Sequence, residues 1–170
     1  MARENKAPSF DVARCVVIVG PTKFLLMLWD EISTAAHSGH MEIGRRLATY
    51  ALLCPASGRV PPLLPIFFGS LMHTLLARID SDKPAVQSVN VELLVAIISS
   101  SLTAVLHFEW ALRSGETQAE ARNPVGQPSV ALARRLATDL KRSKSKTAET
   151  IMQRLSSAPS FVANFPMMVS

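Results

Sequence analysis

Cysteine is almost missing from this chain. Cys15 and Cys54 are the only two among 170 residues, too few for a disulfide framework. Both lie in apolar surroundings, where reduced structural thiols of an intracellular protein are the expected state. Aromatic residues make up only 6% of the chain, with one Tyr and two Trp, so an apolar content of 48% is carried by Leu, Ala, Val, Ile and Met. That composition suits helix packing. Charged residues reach just 18%, below the usual quarter. The seven glycines form neither a P-loop nor a dinucleotide-binding fingerprint. Residues 1–9 hold Arg3, Glu4 and Lys6 and no apolar core, so they read as a flexible tail and not as a secretory signal.

Long apolar runs are scarce too. The uncharged core from Leu93 to Leu106 is 14 residues, short of the roughly 20 that span a bilayer. Ser99, Ser100 and Ser101 interrupt its middle, so it is expected inside a protein, covered by neighbouring helices. Val60 to Ala77 runs 18 residues without formal charge. Pro61, Pro62, Pro65, Gly69 and His73 mark it as a helix entry and not a span.

What is present is helical periodicity. Val16 to Val19 is a β-branched run that periodicity leaves open between strand and buried helix. Gly20-Pro21 starts a helix with Phe24, Leu25, Leu28, Trp29, Ile32, Ala35 and Ala36 on one face. Ser38-Gly39 ends it. A second helix from His40 places Ile43, Leu47, Tyr50, Ala51 and Cys54 on an expected core stripe opposite Glu42, Arg45 and Arg46. A third covers 63–80 and a fourth about 89–113. The resulting fold class is all-α, with helical hairpins stacked as a bundle or as a solenoid fragment of the HEAT or armadillo type. The domain reading is a tail over 1–9, a helical core module over 10–113, a linker over 114–128, a basic amphipathic helix over 129–156 and an apolar tail over 157–170. That last tail either docks back onto the body or binds a partner.

Chemistry finds little support in these residues. His37 and His40 with Glu42 straddle a glycine turn and lack a third strong ligand, whereas zinc needs three or four convergent ones. His73 and His107 fall on helices expected to be buried and read as hydrogen-bonded core residues. The three serines have no glycine-rich elbow and no paired base; hydroxyls bonded to carbonyls one turn back are the simpler role. No catalytic, cofactor-binding or metal-binding residue is assigned. The charge is informative instead. Residues 129–156 hold seven basic residues against Asp139 and Glu149, a net +5 equal to the excess of the whole chain. Arg134, Arg135, Lys141, Arg142, Lys144 and Lys146 form this basic patch. It reads as a solvated face, as a nuclear-import or nucleic-acid patch, or as a contact for an acidic partner, with a solvated face plus nuclear import the preferred combination. With no aromatic interleaved, base stacking is not expected. The pentapeptide Arg-Arg-Leu-Ala-Thr occurs at 45–49 and at 134–138 with unmatched flanks, and reads as coincidence.

Pro61-Pro-Leu-Leu-Pro65, the helix ending Leu76-Ala-Arg-Ile-Asp80, Glu92-Leu-Leu-Val-Ala-Ile-Ile-Ser-Ser100 and His107-Phe-Glu-Trp110 together resemble the carboxy-terminal region of the fungal Mediator of RNA polymerase II transcription subunit 5 family. Gly20-Pro21, Phe24, Trp29 and Glu31 are similar to the helix that opens that region. The resemblance covers roughly residues 10–113 and rests on apolar packing patterns. It implies a nuclear, non-enzymatic coactivator scaffold of the Mediator tail module, acting in transcription regulation through contacts with other Mediator subunits. RNA polymerase II and activators would be reached indirectly. No cofactor, no membrane and no sequence-specific nucleic acid are expected. Trp29, Phe67, Phe68, Phe108 and Trp110 are the candidate partner-contact anchors, since large aromatics carry most interface energy. The alternatives are a membrane-associated helical protein, suggested by a positive mean hydropathy, and a basic helical nucleic-acid-binding protein.

Overall fold

The computed structural model describes residues 11–115 and 128–169, with backbone only at 109–115 and 128. The tail expected over 1–9 and most of the linker over 114–128 lie outside the described residues. Eight α-helices account for nearly everything described, and among the described residues no strand occurs beyond one isolated bridge between Ser57 and Val60. The fold is all-α.

The open question at Val16–Val19 resolves as helix. Helix α1 spans Val12–Val19, and Asp11 caps it by accepting the Arg14 N–H at 3.0 Å. Gly20 then adopts φ 90°, a turn that side chains rarely allow, and Pro21 opens α2, Pro21–His37. This helix buries Phe24, Leu25, Leu28, Trp29, Ile32 and Ala36, the face that the spacing predicts. Gly39, at φ 87°, turns the chain into α3, Met41–Leu52.

Helix α3 departs from expectation. Its buried residues are Gly44, Ala48, Ala51 and Leu52. Ile43 and Tyr50, expected in the core, are exposed, and Leu47 is only half-buried. The reason is close approach. A Cβ added to Gly44 would lie 3.2 Å from the Ile32 carbonyl oxygen, so α2 and α3 meet along the small-residue side, which brings many atoms into contact. Large side chains on the opposite stripe are left outside.

Helix α4, Leu63–Asp80, contains a π-type turn at Phe67–Leu71 where Gly69 takes φ −96° and ψ −114°. The bend turns Phe67, Phe68, Leu71 and Met72 inward together. The central element is α5, Pro84–Gly115, 32 residues long. It packs against α2, α3 and the last part of α4, and its fully buried Leu93, Leu94, Ile97, Ile98 and Leu102 form the middle of the core. Each such side chain contributes about 1.5–3 kcal/mol relative to exposure.

The basic segment is two helices and not the single one expected over 129–156. Helix α6 is Pro128–Arg142 and α7 is Lys146–Ser156, separated by Ser143, Lys144 and Ser145. The break arises because Ser145 stays extended and caps α7, accepting the Ala148 N–H at 3.2 Å. Asp80 at the end of α4 completes the cap. Its Oδ1 accepts the Thr147 N–H at 3.0 Å and the Thr147 hydroxyl at 2.6 Å. The apolar tail folds back as α8, Pro159–Asn164, and a 3-10 turn at Pro166–Met168, burying Phe161, Phe165 and Met168. Helices α6, α7 and α8 all touch α5. In a solenoid each repeat meets only its neighbours; convergence on one central helix makes this a bundle.

Candidate interaction surface

The residues expected to contact partners separate sharply. Trp29, Phe67 and Phe68 are buried in the core, so they hold the bundle together and offer nothing to a partner in this fold. Phe67 and Phe68 sit at the π-type turn with ring centroids 5.9 Å apart. Phe108 is 64% exposed. Trp110 falls among the residues whose side chains are not described. Residue size singled out these aromatics without showing which helix face each would take.

The serine-interrupted helix is explained by polar pairing. Ser101 is buried and donates to the Ile97 carbonyl at 2.6 Å, one turn back as expected. Ser100 receives Arg45 Nη1 at 2.6 Å and lies 3.0 Å from the Thr49 hydroxyl. Arg45 also grips Glu42 with Nε and Nη2, so a polar strap joins α3 to α5. Hydrogen bonding from Arg45 holds the Glu42 carboxyl below its ordinary value. The first copy of the repeated pentapeptide therefore clamps two helices. The second stands on the surface of α6, with Arg134, Arg135 and Thr138 exposed.

His73 and His107 are exposed, contrary to the core role expected of them, because the bundle buries only one side of their helices. The His37 ring lies 2.7 Å from the Ser33 carbonyl oxygen through Nδ1. Among the described residues no three His, Cys, Asp or Glu side chains converge as a metal site.

All six members of the basic patch are exposed. Arg135 lies 3.9 Å from Asp139 and its guanidinium covers the Gly69 bend, where an added Cβ would stand 3.4 Å from Nη2. Lys146 lies close enough to Asp80 to help hold that carboxyl down. Partial burial pushes the Asp80 carboxyl upward, but the hydrogen bonds from Ser145 and Thr147 outweigh it and leave it below the ordinary value. Arg134, Lys141, Arg142 and Lys144 form no ion pair among the described residues. The surface of α6 and of the α6–α7 corner thus presents cations that no carboxylate among the described residues pairs with. Below it, Arg154 of α7 holds Glu92 of α5 through both carboxylate oxygens.

A polar cleft of about 440 Å³ adjoins this corner, lined by Asp80, Gln87, Glu92, Lys144, Lys146 and Arg154 among others. Helices α1, α2 and α3 enclose a second cleft of about 320 Å³ whose lining is apolar apart from Glu31. Sequence reading missed this cleft, since Phe24, Leu28 and Leu47 were expected in the core and Ile18 and Val19 belonged to a run left open between strand and helix. Among the described residues, two helical stretches are long and apolar enough to cross a membrane by length and composition, Leu63–Asp80 and Pro84–Phe108, with mean hydropathy 1.3 and 1.9. About half of each is buried within the bundle. No protein-family model matches the chain, and no curated protein or solved structure shows significant similarity to it.

Proposed function

We propose that this chain is a non-enzymatic helical scaffold that works by protein contact, presenting the exposed cations of α6 and the α6–α7 corner to acidic partner surfaces. One observation carries the reading: the whole net charge of the molecule sits on one helix pair. Residues 128–169 contain seven basic and two acidic residues, while residues 11–115 contain eight of each. An even charge distribution would serve solubility; a segregated one steers encounter and fixes orientation. The rigid seating of α6 through buried Ala133, Leu136, Ala137 and Leu140 supports this, because it holds the basic side chains on a fixed frame.

The sequence resemblance over 10–113 makes the Mediator tail module the assembly in which such a scaffold serves. Other Mediator subunits would then be the direct partners, in the nucleus. Affinity capture of the tagged chain from nuclear extract, with mass spectrometry of the bound proteins, tests this. Recovery of Mediator subunits after nuclease treatment is the expected outcome. Recovery of nucleic acid alone, lost steeply as salt rises, would replace the scaffold by a nucleic-acid-binding protein. The two apolar helical stretches favour one second reading, membrane association. Detergent-free extraction into the soluble fraction is expected, and retention in the membrane pellet would support the second reading.

A further inference from the structure

The face formed by α1, α2 and α3 shares no lining residue with the cleft at the basic corner and has a pattern of its own. Ile18 is 70% exposed, Met27 51%, Ile43 60% and Tyr50 61%. Ile18 and Met27 line the apolar cleft, to which α1 also gives Cys15 and Val19, α2 Glu31 and α3 Leu47; Ile43 and Tyr50 stand on α3 four residues before and three after Leu47. Isolated exposed apolar residues are ordinary, whereas a contiguous group marks an interaction site.

The charges beside the cleft say what covers it. Along the outer face of α2, exposed Lys23, Met27 and Glu31 follow one another at intervals of four residues. Four residues are about 6 Å of helix rise and return to nearly the same side. Lys23 and Glu31 form no ion pair among the described residues, in contrast to Asp30, which meets Arg78 at 3.4 Å. The stripe therefore reads cation, apolar, anion, centred on Met27. Such a sequence is its own complement when reversed. If two copies of α2 pack antiparallel about a two-fold axis at Met27, each Lys23 faces the Glu31 of the other copy. Met27 meets Met27, and the neighbouring clefts receive apolar side chains from the opposite α1 and α3. An isologous contact of this kind is the commonest arrangement of soluble oligomers.

We infer that the chain forms a two-fold symmetric homodimer through the α1–α2–α3 face, with Met27 on the axis and Lys23–Glu31 pairs on either side. The inference does not depend on the scaffold reading and leaves the basic corner free on both copies.

Light scattering or sedimentation equilibrium of the purified full chain over a concentration series tests it. A dimer that dissociates on dilution is expected. Met27→Glu places two carboxylates on the axis and is expected to give monomer. Lys23→Glu and Glu31→Lys are each expected to weaken dimerisation about 10-fold, since each turns two attractive pairs into repulsive ones. Combining both in one chain restores the dimer. Mixing the two single variants yields a heterodimer, because all charges are again paired. All these positions are exposed, and far-ultraviolet circular dichroism checks that each variant is folded. A native chain that stays monomeric, or a dimer indifferent to Met27→Glu and to the charge reversals, would overturn the inference. A monomer whose Met27→Glu variant loses a different bound protein would equally overturn it, by assigning the face to another partner. Neither result would bear on capture through the basic corner, so the two ideas fail separately.

Discussion

Replacing Leu136 by Ala probes whether the carboxy-terminal helices belong to the body of the molecule. Leu136 on α6 is fully buried, within a helix that packs on α5, α7 and the π-type turn of α4. The substitution removes three carbons from a closed site. At about 0.8 kcal/mol for each buried carbon the transfer loss is about 2.4 kcal/mol. The cavity left behind brings the total to about 3 kcal/mol. For a chain of this length, that lowers the melting temperature by about 6–12 °C. Thermal unfolding followed by circular dichroism at the helical band measures it. Amide hydrogen exchange shows where the loss falls. Cooperative packing requires the protection of α5 to drop along with that of α6. Arg134→Ala, two residues away on the exposed side of the same helix, serves as the control and is expected to change stability by less than about 0.5 kcal/mol. The reasoning is refuted if Leu136→Ala leaves the main transition unmoved and changes exchange only within 128–169. That result would make these helices an appendage, and the basic corner would lose its fixed frame.

Acid should destabilise the fold through Asp80 and Glu92. The cap on α7 holds the Asp80 carboxyl low, and hydrogen bonding from Arg154 does the same for Glu92. Both bind protons less readily folded than unfolded. Their contribution is therefore complete above the ordinary carboxylate range near about 4, and is lost as pH falls through the lower folded values. Denaturant titrations from neutral to acid pH are expected to show this decline, with Asp80→Asn flattening part of it. At neutral pH, Asp80→Ala is expected to cost about 1–2 kcal/mol through the lost cap, measured by the denaturation midpoint. Gly44→Leu drives a side chain into the Ile32 backbone and is expected to cost about 1–3 kcal/mol or to splay α2 from α3. A wild-type melting temperature for that variant would show that the close approach does not matter.

Much of the fold was legible because large apolar residues at helical spacing mark an inward face. Phe24, Leu28, Trp29 and Ile32 did so on α2. The same logic misread α3, where Ile43 and Tyr50 looked like core and Gly44 and Ala48 did not. Periodicity weighs residue size, whereas tight helix pairs select smallness, and the two signals point to opposite sides of one helix. Capping was also underweighted. Asp11 turns an undecided β-branched run into α1, and Ser145 with a distant Asp80 divides the basic segment in two. The Asp80 contribution comes from 67 residues away, beyond any local pattern. The basic corner was visible as composition, because charge needs no partner to be counted. The Lys23–Met27–Glu31 stripe was not, since its meaning depends on which residues the bundle leaves exposed.

The scaffold reading stands or falls on capture by the basic corner. The measurement is a paired affinity capture from nuclear extract, using the native chain and a Lys141→Glu, Arg142→Glu, Lys144→Glu variant of unchanged melting temperature. Nuclease treatment precedes both, and the bound proteins are quantified by mass spectrometry. Mediator subunits recovered with the native chain and depleted with the variant are the expected result. A folded native chain that recovers none of them, or a variant that recovers them equally well, would contradict the account.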